Sequence, residues 1–115
     1  MNVEQLINAI KTSPERVEFS DVMNTIGEHY DYSPVEFKNG PDVVNAAGTN
    51  EGSCKIFAFA QLNKLTVDET LACFGQYYRD DVLANPKGDD HSNIRAFMTS
   101  GWDGICFSSA ALKAK

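Results

Sequence analysis

The sequence predicts a single, helix-dominated α+β domain over residues 1–115, with about four to five helices and a small antiparallel sheet or hairpin; an all-α fold is the alternative. Three observations support this prediction. A chain of 115 residues has the usual size of one domain. Apolar residues recur at helical spacing in several segments and alternate with polar ones in only a few short stretches. The hydrophobic content of 43% is ordinary for a globular protein and argues against wholesale disorder.

The first forty residues predict two helices and a strand. Residues 3–11 carry an apolar face at helical spacing. Ser20 is the predicted N-cap of a second helix, whose apolar stripe ends at Tyr30. Apolar and polar side chains then alternate within 32–38, which predicts a short strand before the turn formed by residues 39–41.

The middle of the chain predicts two further helices. Residues 54–63 are apolar almost all round, with Ser53 as the expected N-cap, which is typical of a helix buried at the centre of a small domain. Thr66 and Glu69 have the spacing of a capping box, in which each side chain accepts a hydrogen bond from the other residue's backbone N–H. The helix that they start is expected to end near Arg79.

The remaining segments predict loops, one helix and a short strand. Residues 42–52 are small and polar and form mainly a loop, with brief strand pairing near its start. Asp89 or Asp90 is the expected cap of a last helix. Residues 105–107 can form a strand, and the tail 108–115 is expected to be loosely held.

Composition argues against several function classes. Sixteen acidic and ten basic residues give a net charge of −6, whereas non-specific nucleic-acid binding needs Lys and Arg to neutralise phosphates. The same charge argues against docking on anionic lipid, and no segment is apolar for long enough to insert in a membrane. The N-terminus lacks the apolar core of a signal peptide. We therefore expect a cytoplasmic protein without a cofactor, with its oligomeric state and its partner, a protein or a small molecule, left open.

Cysteine usage gives one hypothesis of catalysis. The three cysteines, Cys54, Cys73 and Cys106, are too few and too dispersed for a disulfide framework or a zinc site. Cys54 falls in the first turn of the predicted central helix, where the helix dipole lowers a thiol pKa. It could act as a nucleophile, with His91 as general base and Asn50 orienting the imidazole or binding an oxyanion. The alternatives are a buried and chemically idle thiol, which the sequence favours, and a redox-sensing thiol.

The segment Asp89-Asp90-His91 contains candidate metal ligands, and Asn93 and Asp103 could be further donors. Adjacent residues on a turn cannot all point at one ion, and no helical pairing with a second histidine supports them. A carboxylate at a helix start is already explained by capping and by the helix dipole. The sequence therefore predicts no metal site.

Two arginines and the single tryptophan are the candidate ligand or partner contacts. Arg79 precedes two aspartates and Arg95 follows two, so each could lock a helix end through a carboxylate or could hold an anionic ligand. The structural role is favoured because acidic residues outnumber basic ones locally. Trp102 lies between glycines, where it could anchor a partner or cover the core.

Four blocks of sequence are distinctive when taken together: HYDYSPVEFKNG (29–40), NEGSCKIFAFAQL (50–62), ACFGQYYRDDVL (72–83) and GDDHSNIRAFMTSGWDGI (88–105). In this order and spacing they resemble the HopJ family, named for a type III secretion effector of plant-pathogenic bacteria. The resemblance is strongest over residues 19–107. It implies delivery into a host cell and implies no catalytic residue.

Two functions of different classes follow. In the first, favoured by the sequence, the protein is a HopJ-like binding or interaction domain without catalysis. In the second, it is a thiol-dependent hydrolase or transferase that uses Cys54 and His91.

Overall fold

The computed structural model describes all 115 residues and shows a helix-dominated α+β fold, as the sequence predicts. The helices are α1 (Val3–Thr12), α2 (Phe19–His29), α3 (Glu51–Leu62), α4 (Val67–Ala72) and α5 (Ser92–Ser100). The strands are β1 (Tyr30–Tyr32), β2 (Phe37–Asn39), β3 (Val43–Asn45), β4 (Ile105–Phe107) and β5 (Leu112–Ala114). Two 3-10 turns, Pro14–Arg16 and Gly101–Gly104, and one π-helix, Tyr77–Val82, complete the chain.

The strands form two small antiparallel sheets. In the first, β2 lies between β3 and β4, so that Phe37 is opposite both Asn45 and Phe107. In the second, β1 pairs with β5. The prediction of a loosely held tail is therefore wrong: β5 is hydrogen-bonded to β1, and the buried side chain of Leu112 anchors it. The strand predicted over 32–38 is instead split between the two sheets.

The central helix predicted from its apolar run is confirmed in α3. Phe57 is 0% exposed, and its ring centroid lies 6.0 Å from that of Phe37, 5.5 Å from Phe74 and 4.9 Å from Phe97. These three rings come from β2, the segment after α4, and α5, so α3 joins the sheet to the other helices. Aromatic pairs at such distances contribute beyond their buried area.

The helix expected to continue to Arg79 ends instead at Ala72, because of Gly75. Gly75 has a φ of 58°, a left-handed conformation that glycine adopts at little cost. A Cβ there would lie 2.6 Å from the backbone nitrogen of Phe19, so the close approach of these two segments also requires glycine. The turn redirects the chain into the π-helix, which places Tyr77 beside Phe19, with ring centroids 5.0 Å apart.

Three other predicted helix bounds are wrong. Glu18, and not Ser20, is the N-cap of α2. Asn50, and not Ser53, is the N-cap of α3, and His91 replaces Asp89 or Asp90 at the start of α5. The capping box of Thr66 and Glu69 is confirmed, with both of its hydrogen bonds present.

Candidate ligand-binding site

A cavity of about 370 Å³ lies where the starts of α2, α3 and α5 meet the π-helix. Its apolar wall comes from the aromatic rings of Phe19, Phe74 and Tyr77, with Ile94 beside them. Its polar and small wall is formed by Asn50, Gly52, Ser53, His91, Ser92 and Asn93. A cavity of this size, with an aromatic wall on one side and polar groups on the other, lies within the size range of small-ligand sites.

Of the three helix starts at this cavity, those of α3 and α5 have no side-chain cap, whereas the first N–H group of α2, that of Phe19, donates to the Gln76 side chain. Asn50 and His91, the N-cap residues of α3 and α5, both adopt left-handed backbone conformations, with φ of 49° and 50°. Neither accepts a hydrogen bond from a first-turn N–H through its side chain. The first-turn N–H groups of a helix carry its positive end, so two such ends border the same space.

Two buried asparagines, Asn45 and Asn93, and the more exposed Asn50 form a network that holds the two helix starts together. Asn45 on β3 and Asn93 on α5 exchange reciprocal hydrogen bonds, with Nδ2–Oδ1 distances of 2.9 and 3.0 Å. Asn50 donates its Nδ2 to the same Asn45 Oδ1 at 2.8 Å. Asn45 therefore ties the starts of α3 and α5 to each other without lining the cavity itself.

The imidazole of His91 is oriented from two sides. Its Nε2 lies 3.0 Å from Asp81 Oδ2, and its ring centroid lies 5.5 Å from that of Tyr77. The residue is partly exposed toward the cavity that it lines. A histidine held by a carboxylate has a fixed ring orientation, so His91 presents a defined hydrogen-bonding edge.

The structure brings His91 and Asn50 to the cavity but separates Cys54 from them. Cys54 is 1% exposed and does not line the cavity, although the preceding residue, Ser53, does. Burial raises the pKa of the Cys54 thiol, which outweighs the opposite effect of the neighbouring Tyr32 hydroxyl. Burial also raises the pKa of Cys73 to about 12. These surroundings disfavour a thiolate, the form that a nucleophilic cysteine requires.

The three other candidates make structural contacts. Arg79 donates hydrogen bonds to the carbonyls of Pro14 at 3.2 Å and Val17 at 2.7 Å, and it makes no ion pair with the aspartates that follow it. Arg95 binds Asp90 Oδ1 at 2.7 Å. The half-buried Trp102 donates its Nε1 hydrogen to the Leu65 carbonyl at 3.0 Å.

The structure contains neither a cluster of metal-ligating side chains nor a membrane-spanning helix. No group of three or more His, Cys, Asp or Glu side chains is placed to hold a metal ion. No helix has both the length and the apolar character needed to cross a membrane.

Sequence reasoning missed several residues of this site. Phe19, Tyr77 and Ser92 line the cavity, yet their spacing in the sequence predicts only helix faces and turns. The sequence did not indicate the positioning role of Asn45, because an asparagine within a polar loop segment is typical of a turn. Only the tertiary structure shows that asparagines from β3, α3 and α5 meet.

Comparisons with known proteins give one similar structure and one family. The crystal structure of the unknown-function protein VPA0580 is similar to this fold, with a TM-score of 0.97 and 50% identity over 100% of this chain and 95% of that one. No curated protein matches the chain. The family model described as HopJ type III effector protein matches residues 3–112. This chain therefore belongs to the HopJ type III effector protein family, as the four sequence blocks predicted.

Proposed function

We propose that the protein is a ligand-binding member of its family whose cavity takes a small planar or aromatic anion. The observation that carries the proposal is the chemistry of the lining. The chain has sixteen acidic residues, yet none of them lines this cavity. The space is bordered instead by two uncapped helix starts, hydroxyl and amide groups, and one imidazole.

The two walls match two parts of such a ligand. The rings of Phe19, Phe74 and Tyr77 offer an apolar surface for a flat body. A carboxylate or phosphate at the other end would accept hydrogen bonds from first-turn N–H groups and from the Ser53 hydroxyl, where the helix dipoles favour negative charge. Preorganisation by Asn45 lowers the ordering cost of binding.

The test uses benzoate and phenyl phosphate as probes and benzylamine as the cationic control. We expect both anions to shift the backbone amide NMR signals of Gly52, Ser53 and Asn93 in a saturable way, and benzylamine to leave them unchanged. His91→Gly should weaken binding, since glycine tolerates the left-handed backbone while the imidazole is lost. His29→Ala, which alters the other histidine outside the cavity, is the matched control.

The proposal fails if neither anion shifts these amides at millimolar concentration. It also fails if the cation binds equally well, because the cavity would then not select for charge. The spectrum of each variant reports its folding, so lost binding can be told apart from a lost fold.

A second proposed function, action as a type III effector, is supported by the description of the family. The test is a C-terminal reporter fusion expressed in a bacterium that has a working secretion apparatus. We expect the reporter in host cells only when that apparatus is intact; equal signal in a secretion-deficient strain would contradict this function.

A further inference from the structure

Asp81 lies directly behind the wall of the proposed anion site. This carboxylate does not line the cavity, but its Oδ2 is 3.0 Å from the Nε2 of His91, which does. His91 is the only ion-pair partner of Asp81, since no lysine or arginine nitrogen lies within 4.0 Å of its carboxylate. The compensation of one negative charge beside the site therefore depends on a single titratable ring.

The other groups that contact the imidazole keep their charge near neutral pH. Asp90 Oδ2 lies 3.9 Å from the same Nε2, but Asp90 is already paired with Arg95, whose Nη2 is 2.7 Å from its Oδ1. The hydrogen bond from Arg95 lowers the pKa of Asp90, so this pair stays ionised and neutral overall. The ring of Tyr77, with its centroid 5.5 Å from that of His91, carries a phenol, a group that ordinarily ionises only near pH 10.

No other charged side chain is placed to replace His91 in this role. The strands β2 and β3, which pack on α5, present the amides of Asn39 and Asn45 to its start, and the 3-10 turn follows its opposite end. The remaining charged residues of the surrounding elements are exposed or bind other partners: Lys38, Glu51, Asp68, Glu69, Arg79, Asp80 and Asp89. Protonation of His91 is therefore the change that alters the charge of this region near neutral pH.

We propose that the Asp81–His91 pair makes anion binding in this cavity dependent on pH, with tighter binding as the pH falls; this inference rests on the proposed function. When the imidazole is neutral, the uncompensated charge of Asp81 repels an anion in the cavity. When the imidazole is protonated, the pair is neutral overall and this repulsion is removed. A ligand in a cavity of about 370 Å³ lies within one Debye length of its lining, ~8 Å at physiological ionic strength, so salt screens the effect only in part.

The test measures the Kd of benzoate at pH 5.5 and pH 7.5 through the backbone amide NMR signals of Gly52 and Ser53. Benzoate stays ionised over this range, because carboxyl groups titrate near pH 4, whereas a phosphate monoester would itself titrate near pH 6. We expect the Kd to be about three- to tenfold lower at pH 5.5. Because such coupling is reciprocal, saturating benzoate should raise the pH midpoint of the His91 ring signals and leave that of His29 unchanged.

Three variants assign the pH dependence to this pair. His91→Gly, which tolerates the left-handed backbone, should bind benzoate with the same Kd at both pH values. Asp81→Asn should tighten binding at pH 7.5 about three- to tenfold, because it removes the charge that the neutral imidazole leaves uncompensated. His29→Ala, which alters the histidine outside the cavity, is the matched control and should keep the full pH dependence.

Two results would overturn the pH dependence and leave the proposed function intact. One is an equal Kd of benzoate at the two pH values in the natural sequence. The other is a pH dependence that persists in His91→Gly, which would assign it to the overall charge of the protein. Absence of benzoate binding at both pH values would instead overturn the proposed function, and this inference with it.

Discussion

Four of the five α-helices of this protein begin in one of two contrasting ways, while α2 begins at Glu18 with neither a capping box nor a left-handed N-cap. At α1 and α4, Asn2 and Thr66 each form a complete capping box with the residue three positions later. At α3 and α5, Asn50 and His91 turn the chain through a left-handed conformation and leave the first-turn N–H groups without a side-chain cap.

The difference separates helix starts that serve only the fold from those that can bind. A capping side chain uses the N–H groups that a ligand would otherwise accept from. At α3 and α5 these groups stay available, and both starts border the same cavity. The stability given up by omitting the caps is offset by the Asn45 network, which fixes the same two starts from behind.

The largest expected effect is a difference in alkylation rate between the exposed thiol of Cys106 and the buried thiols of Cys54 and Cys73. An uncapped helix start should activate Cys54, but burial opposes this and raises its pKa. In the native protein at pH 7 we expect iodoacetamide to alkylate the exposed Cys106 at least about a hundredfold faster than Cys54 or Cys73, because labelling of buried thiols must await local opening. Peptide mass spectrometry after timed labelling measures the three rates.

Denatured protein, in which all three thiols should react alike, is the control for this labelling. Rapid alkylation of Cys54 that His91→Gly slows would contradict the binding function. It would support the hydrolase hypothesis instead.

Substitution of Asn45 tests whether one residue supports both uncapped starts. Asn45→Leu keeps the approximate volume but leaves the amides of Asn50 and Asn93 without their partner, which should lower the free energy of unfolding by about 1–3 kcal/mol. Urea denaturation measures this loss, and benzoate titration should show weaker binding. Asn24→Leu, at an exposed position of α2, should change neither quantity appreciably. Unchanged benzoate binding in Asn45→Leu would refute the positioning role.

Removing hydroxyl groups distinguishes a helix start that is capped from one that is not. Thr66→Ala should lower the free energy of unfolding by about 1 kcal/mol, since the Glu69 N–H loses its acceptor at 3.2 Å. Ser53→Ala should change it by less than about 0.5 kcal/mol, because Ser53 does not cap α3. Paired urea denaturations measure both. Equal losses would mean that Ser53 performs a capping role absent from the structure.

The same contrast explains which features the sequence could predict. The Thr66 box is local, with both partners three residues apart, so spacing alone identified it. The apolar run of α3 was equally direct, because burial on all sides leaves a helix with little polar surface. Both predictions rest on interactions within one segment.

The starts of α3 and α5 depend on contacts far along the chain, and their prediction failed for that reason. Ser53 is a good capping residue, but the tie between Asn50 and Asn45 fixes the helix start three residues earlier. The expected helix through Phe74 was interrupted because Gly75 packs against the backbone of Phe19, more than fifty positions away. Of the cavity, sequence reasoning identified His91 and Asn50 as residues of interest, but paired them with a thiol that faces the core.

The smallest expected effect is the pH dependence of the stability that the capping box of α4 provides. The Thr66 backbone N–H, donating to Glu69 at 2.9 Å, lowers the pKa of this carboxyl from its ordinary 4.5, and Lys11 adds to the effect. A lowered folded-state pKa means that the stabilisation is complete above 4.5 and is lost as the pH falls through the lower folded value. Because the pair with Lys11 lies at the surface, we expect a loss of only a few tenths of a kcal/mol.

Glu69→Gln isolates this contribution, because glutamine can retain the hydrogen bond of the box but cannot titrate. Urea midpoints at pH 6 and pH 3 should differ less in the variant than in the natural sequence. Glu36→Gln, at an exposed position, should leave the difference as it is. An identical pH dependence in all three proteins would show that the Thr66 box stabilises α4 through its geometry alone, without help from the charge of Glu69.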